Sequence, residues 1–196
     1  MRNRSKVDEI IKQLEGRTKP QALSPKQIWR ADLHEAIAGL DWNGQSADPS
    51  VVALMAGLHL WNDNLYASHS CSQQIEYEPT GDYWHAIMHR MEQDYWNSKY
   101  WYRHVGNHPV KQAMPRKAAE YLQQHADLDA LGQGKMASIL KQFRDKQGWN
   151  SNDFVDLVNM QESGQGPEAA RTLLEGLQQI ELRALLDFSY QRVYGN

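Results

Sequence analysis

Apolar residues recur at helical spacing along almost the whole chain, and this periodicity restricts the possible folds more than any other feature. Trp84, Ile87, Met88 and Met91, for example, stand at i, i+3, i+4 and i+7, which places them on one face of a helix. No segment shows the sustained alternation of apolar and polar residues that a half-buried strand requires. The sequence therefore predicts an all-α protein.

Residue types that favour helix starts occur at intervals within this pattern. Asp48 and Pro49 have the types that favour a helix N-terminus, and Asn150 is a candidate N-cap. Gly166 and Pro167 precede an apolar stripe that continues almost to the end of the chain. We therefore expect a long C-terminal helix that begins near Pro167.

Two further boundaries are predicted from proline and glycine. Ser24 and Pro25 are interpreted as a helix start, with Ile28 facing the core. Residues 106–114 are expected to be irregular, because Gly106 and Pro109 discourage the continuation of a helix.

Length and charge fit a single globular domain. The chain has 196 residues and a formal net charge of -3, which offers no broad electrostatic footprint for nucleic acid or an anionic membrane. We expect one helical domain over 1–196, with N-terminal helices in 1–49, two helical hairpins in 50–110 and C-terminal helices in 111–196.

Cysteine content and hydropathy point to a cytoplasmic protein. Cys71 is the single cysteine, which excludes an intramolecular disulfide and suits a reducing compartment. The longest apolar run, 51–61, is too short to span a bilayer. The basic residues 1–6 are followed by a charged segment and not by the apolar stretch of a signal peptide.

The hairpins are predicted from a weak correspondence at a period of 30 residues. The matched residue pairs are Ala56 with Ala86, His59 with His89, Asn64 with Asp94, Leu65 with Tyr95 and Ser68 with Ser98. Each copy is interpreted as a helix, a polar corner and a second helix. The two hairpins, over about 50–77 and 82–105, are expected to stack on each other.

The second copy resembles a tetratricopeptide repeat in the segment from Tyr83 to Pro109, which carries Gln93-Asp94-Tyr95, Ser98 and Tyr100. This resemblance covers about one repeat and implies helical hairpins. Residues 83–110, with Tyr-Trp-His-Ala-Ile-Met-His-Arg and Gly-Asn-His-Pro-Val, are also similar to an uncharacterised family of bacterial all-helical proteins. That similarity does not indicate what the protein does.

Histidines and aromatic residues are concentrated in the same region. Six of the eight histidines and ten of the nineteen aromatic residues fall between residues 59 and 108. His85 and His89 have i, i+4 spacing, which brings two imidazoles to one side of a helix, where they can share a metal ion or a substrate group. If the chain turns near Pro79, His69 is level with His89 and Gln73 with His85.

The predicted ligand groove comprises His69, Gln73, His85, His89, Arg90, Trp101 and Arg103. Its predicted metal ligands are His69, His85 and His89, with zinc as a suitable divalent ion. Separate structural roles for these histidines remain the alternative.

Glu181 is a candidate acid because it lies within the apolar stripe of the final helix, where a carboxylate must be paired, protonated or at the edge of the stripe. It is expected to pair with Arg90, orient a histidine or bind a metal. The other source of a carboxylate is Glu92, one turn beyond His89. His85, His89 and Glu181 are therefore the candidate catalytic residues.

Two classes of function remain open, because no established catalytic signature is present. The first is a helical interaction or scaffold module that presents a groove lined by histidine and aromatic side chains to a protein, a peptide or a second copy of itself. The second is a small metal-binding or histidine-dependent enzyme, similar to a hydrolase, that uses His69, His85 and His89. Nucleic acid and membranes are disfavoured as partners.

Overall fold

A computed structural model describes residues 3–145 and 148–195, which form ten α-helices, one short 3-10 turn and no strand. The helices are α1 (Arg4–Glu15), α2 (Ala31–Ala38), α3 (Pro49–Trp61), α4 (Leu65–Ser72), α5 (Pro79–Met91), α6 (Tyr95–His104), α7 (Pro109–His125), α8 (Lys135–Arg144), α9 (Ser151–Glu162) and α10 (Glu168–Tyr194). The predicted all-α fold with a long C-terminal helix is confirmed. None of the described helices combines the length and apolarity needed to cross a membrane.

Two antiparallel hairpins form the middle of the chain, α3 with α4 and α5 with α6. Their first helices begin at Pro49 and Pro79, and their second helices begin at Leu65 and Tyr95. Both pairs of starting points are separated by 30 residues. Helix α5 packs against α3, α4 and α6 and therefore lies at the centre of this layer.

The corner inside each hairpin has the same backbone geometry. Asp63 and Gln93 have positive φ angles of 61° and 73°, so the chain leaves each first helix through the left-handed region. The next residue then donates its backbone N–H to the carbonyl of a histidine five residues earlier, at 2.9 Å in both hairpins. These histidines are His59 of α3 and His89 of α5. The hydrogen bond at the corner therefore fixes each of them near the C-terminal end of its helix.

Small residues allow the helices of this layer to approach closely. A Cβ atom at Gly57 of α3 would lie 2.5 Å from the Trp84 ring of α5, so only glycine fits beneath that indole. Ser98 of α6 is fully buried, and its hydroxyl donates a 2.7 Å hydrogen bond to the Ala86 carbonyl of α5. Helix α5 is thereby held against both neighbours.

Helix α10 joins two hydrophobic cores. Its C-terminal half, with Leu182 and Leu185, packs into the core formed with α1, α2, α3 and α5. Its N-terminal half, with Leu173 and Leu177, packs into a second core with α7, α8 and α9. The long apolar stripe seen in the sequence therefore covers both halves of the described chain.

Two predicted boundaries are wrong. No helix begins at Ser24-Pro25; α2 begins only at Ala31, and Ile28 is 40 % exposed. The backbone of the two residues before α2 bonds instead to Asn62, whose carbonyl accepts from Trp29 N–H and whose side chain pairs with the Arg30 backbone.

The segment predicted to be irregular over 106–114 is also helical for most of its length. Helix α7 begins at Pro109 with His108 as its N-cap. Proline is well suited to the first turn of a helix because its missing N–H would have no partner there. Pro109 therefore starts a helix and does not, as predicted, discourage one.

Candidate metal centre

Three histidines converge between α4 and α5. His69 lies on α4, and His85 and His89 lie one turn apart on α5. The ring centroids are 4.9 Å apart for His69 and His85, 5.1 Å for His69 and His89, and 4.7 Å for His85 and His89. One nitrogen from each ring lies within 4.8 Å of the others, so a small adjustment of side chains would let all three contact one ion.

The His85 ring is held between aromatic neighbours. Trp101 of α6 stacks on it with centroids 4.1 Å apart and an interplanar angle of 19°, and His89 stacks on it at 17°. His85 is only 2 % exposed. The position of this ring is therefore fixed by packing as well as by its own helix.

His85 has unusual hydrogen bonding for a buried imidazole. Neither of its ring nitrogens has a hydrogen-bond partner among the described residues, and both are shielded from solvent. Burial lowers the pKa of His85 to about 3, and the neighbouring His89 and His69 add to this effect. At neutral pH the ring is uncharged, and one nitrogen carries a lone pair.

Glu92 orients the second imidazole. His89 Nδ1 lies 2.6 Å from Glu92 Oε1, and the His89 side chain is buried while Glu92 is partly exposed. Burial lowers the pKa of His89, whereas the hydrogen bond to Glu92 opposes that shift. When Nδ1 of the neutral ring donates to the carboxylate, Nε2 keeps its lone pair for another partner.

A second set of donors continues from the same residue. Oxygen atoms of Glu92 and Asp94 lie within 4.8 Å of each other and of a His89 nitrogen. Asp94, however, is the N-cap of α6 and accepts hydrogen bonds from the backbone and side-chain amides of Asn97 at 3.1 and 2.6 Å. Its carboxylate is therefore already engaged in capping α6.

Glu181 occupies a separate, fully buried network. Its Oε2 accepts a 2.7 Å hydrogen bond from Arg90 Nη1, and its Oε1 accepts from the hydroxyls of Tyr83 and Tyr102 at 3.0 and 3.1 Å. The Arg90 guanidinium also lies over the Phe154 ring, 4.6 Å from its centroid. Of the three roles expected for Glu181, the structure shows the pairing with Arg90.

Three members of the predicted groove are placed elsewhere. Arg90 points into the Glu181 network and is completely buried. Gln73 begins the 3-10 turn after α4 and is exposed. Arg103 is exposed and borders a cavity at the start of α9. The residues that the structure brings together are His69, His85, His89 and Trp101.

The roles of two tyrosines are not predicted from the sequence. Tyr83 lies seven residues before Arg90 on α5, so the two share a face of that helix and both reach Glu181. That spacing was the available signal for Tyr83. The contribution of Tyr102 depends on how α6 packs on α5, which a single sequence does not specify.

Cys71 and His59 are two further side chains with reactive groups. Burial raises the pKa of the half-buried Cys71 thiol to about 11, so it is not a thiolate at neutral pH. His59 is paired with His34 at a centroid distance of 5.4 Å, and burial lowers its pKa to about 4. His34 Nδ1 in turn lies 3.0 Å from the Asn64 amide nitrogen.

Comparison of the chain with protein families, curated proteins and solved structures finds no match. The chemistry of the centre therefore follows from its own side chains. Three imidazoles, one of them backed by a carboxylate, make a donor set suited to zinc and other divalent transition metals.

Proposed function

We propose that this protein binds a divalent transition metal ion, zinc being the first candidate, through His69, His85 and His89. The observation that carries the proposal is the His85 ring, which is 2 % exposed and has no hydrogen-bond partner for either nitrogen among the described residues. A buried polar group left unsatisfied costs about 1–3 kcal/mol. A metal bond to one nitrogen would offset part of that cost.

The surroundings of the other two rings fit the same proposal. His89 donates from Nδ1 to Glu92, as metal-binding histidines commonly do to a carboxylate, and its Nε2 is left free to bind the ion. His69 is half-buried, in contrast to His85 and His89. Solvent would therefore reach the ion from the His69 side.

A centre with three protein ligands leaves a fourth coordination position for water or a substrate. A zinc ion in such a site lowers the pKa of its bound water to about 7, which supplies hydroxide for hydrolysis near neutral pH. His85, His89 and His69 would hold the ion, and Glu92 would position His89. Glu181 has no direct part in this chemistry, since both of its oxygens are engaged by Arg90, Tyr83 and Tyr102.

Titration with cobalt(II) tests the site directly, because tetrahedral cobalt gives strong visible absorption bands. We expect wild-type protein to develop these bands to saturation, and His85→Ala protein to show none at the same concentrations. His125→Ala is the matched control, since His125 is exposed on α7, outside the cluster. Equal spectra for wild type and His85→Ala would refute the proposal.

A second candidate function, that of an interaction module, is favoured by two exposed aromatic residues. Tyr66 is 83 % exposed and Trp96 is 71 % exposed, and they stand at corresponding positions of α4 and α6, 30 residues apart. Large aromatic side chains are frequent anchors of protein interfaces. The single cysteine fits a cytoplasmic setting for such a partner.

We take a second copy of the chain as the partner to be tested first. Light scattering across a concentration series should show a dimer for wild type and a monomer for the Tyr66→Ser, Trp96→Ser double variant. A wild-type monomer at all concentrations would exclude self-association and leave a different protein or a peptide as the partner.

A further inference from the structure

A cavity of about 320 Å³ lies where α9 begins, on the side of α6 reached by Arg103. It is separate from the histidine cluster, because Trp101 faces His85 while Arg103, two residues later, borders this cavity. Its wall is formed by the end of α6, the first turn of α7 and the start of α9. No function discussed above uses it.

The charge of the cavity wall is positive. Arg103 and Lys111 both line it, and no acidic residue does so. Within the described residues, neither of these cations has a carboxylate within ion-pair distance, although the chain as a whole carries a net charge of -3. Two unpaired cations on a common wall favour an anion there.

Two buried residues on the same wall carry unsatisfied donors. Trp149 is 8 % exposed and Ser151 is 4 % exposed, and both line the cavity. Within the described part of the chain, Trp149 Nε1 and Ser151 Oγ have no hydrogen-bond partner. An indole N–H can only donate, so an acceptor for this group has to come from outside the described residues.

The start of α9 contributes the weaker, general attraction of a helix N-terminus for anions. Part of this is already used, because Asn150 Oδ1 accepts from the backbone N–H groups of Asn152 and Asp153 at 2.9 and 3.4 Å. Asp153 also places a negative charge in the first turn. The side chains of Arg103, Lys111, Trp149 and Ser151, and not the helix terminus alone, must therefore hold the ligand.

We propose that this cavity binds the phosphate group of a small phosphorylated molecule. A phosphate monoester carries about -1.5 to -2 charges at pH 7 and has three acceptor oxygens, which match two cations and two unsatisfied donors. Arg103 and Lys111 supply the charge, while Ser151 Oγ and Trp149 Nε1 donate to phosphate oxygens. The remaining volume, beside Trp149 and Tyr102, accommodates the body of the ligand.

Isothermal titration with phenyl phosphate, inorganic phosphate and phenol separates the parts of this proposal. We expect phenyl phosphate to bind more tightly than inorganic phosphate, and phenol to show no binding. Arg103→Gln should weaken phenyl phosphate binding about tenfold, the effect of losing one charged hydrogen bond. Arg103 is exposed, so its replacement leaves the fold intact, and Ser151→Ala provides a second variant that keeps the charge.

Two controls make the outcome decisive. Arg116→Gln removes the charge of an exposed arginine on α7, outside the cavity wall, and should change the dissociation constant by less than about twofold. His85→Ala should bind phenyl phosphate as wild type does, since it affects only the metal centre. Loss of binding in His85→Ala, or equal binding by Arg103→Gln and wild type, would overturn the proposal. Equal affinity for inorganic phosphate and phenyl phosphate would overturn the part that concerns the body of the ligand.

Discussion

Arg90 of α5 and Glu181 of α10 form an ion pair, with Arg90 Nη1 2.7 Å from Glu181 Oε2 and both side chains completely shielded from solvent. The pair lies where α10 passes between its two hydrophobic cores, beyond Leu177 and before Leu182. Tyr83 and Tyr102 supply further hydrogen bonds to the same carboxylate. A single polar network thus connects the second hairpin with the C-terminal helix.

Removal of one partner should destabilise the fold strongly. Glu181→Ala leaves the buried Arg90 without its counter-charge, and we expect a loss of about 3–5 kcal/mol in the free energy of unfolding. Urea denaturation measures it. The matched control is Glu120→Ala, which breaks an exposed i, i+4 pair with Arg116 and should cost less than about 1 kcal/mol. Similar losses for the two variants would show that the buried network is not specially coupled.

Metal affinity should depend on Glu92. Glu92→Gln keeps the size of the side chain but weakens its hydrogen bond to His89 Nδ1, so zinc affinity should fall about 10- to 100-fold. Competition with a chromogenic chelator gives the dissociation constant. Glu76→Gln, which changes the charge of an exposed residue in the same hairpin region, should leave the affinity unchanged. An unchanged affinity in Glu92→Gln would remove Glu92 from the centre.

Metal-free protein should lose stability as the pH falls from about 6.5 to 4. Burial lowers the pKa values of His59, His85 and His108 to about 4, 3 and 4, so in this range the unfolded chain binds protons that the folded chain does not. Asp82 acts in the opposite direction. Burial raises its pKa to about 6, so in this range the folded chain binds a proton at Asp82 that the unfolded chain does not.

His89 acts in the same direction as these three histidines, and Glu175, whose pKa burial raises, acts with Asp82. The four histidines outweigh the two acids, so stability falls as the solution is acidified, by about 1.4 kcal/mol per pH unit for each net proton. Urea midpoints measured at intervals across the range test this. His59→Gln should make the dependence shallower by about one proton, because glutamine does not titrate. A free energy of unfolding that stays constant or rises toward pH 4 would contradict the predicted direction.

The contact between Gly57 and Trp84 should be intolerant of a methyl group. Gly57→Ala would place Cβ 2.5 Å from the Trp84 ring, and we expect a loss of about 1–3 kcal/mol from overpacking. Trp84→Phe in the same chain would relieve the clash, so the double variant should be more stable than the sum of the two single losses predicts. If the stability losses of the two single variants add exactly in the double variant, the proposed clash between residue 57 and the Trp84 ring is contradicted.

The proximity of the three histidines was predictable because it depends on local geometry. An i, i+4 spacing puts His85 and His89 on one side of α5, and the short turn before α5 sets His69 level with them. The same reasoning found the all-α fold and the start of α9 at Asn150, where capping residues act within one turn.

The sequence could not give the contacts that depend on how distant helices cross. The sequence leaves three roles open for Glu181, and its pairing with Arg90, 91 residues away along the chain, is decided only by the packing of α10 against α5. The sequence interpretation also places Arg103 in the histidine groove. The rotation of α6 instead directs it to the start of α9.

The start of α2 was missed for a related reason. Proline and serine types suggested a helix from Ser24, but Asn62 competes for the backbone groups of Trp29 and Arg30 across 32 residues of sequence or more. Such hydrogen bonding to a residue distant in sequence leaves no periodic signature.

Elemental analysis of the protein, purified without chelators, is the most direct test of the metal centre formed by His69, His85 and His89. We predict about one zinc or other divalent transition metal ion per wild-type chain, and loss of that metal in the folded His85→Ala, His89→Ala double variant. A folded wild-type protein that contains no metal, and takes up none when incubated with zinc, would contradict the account.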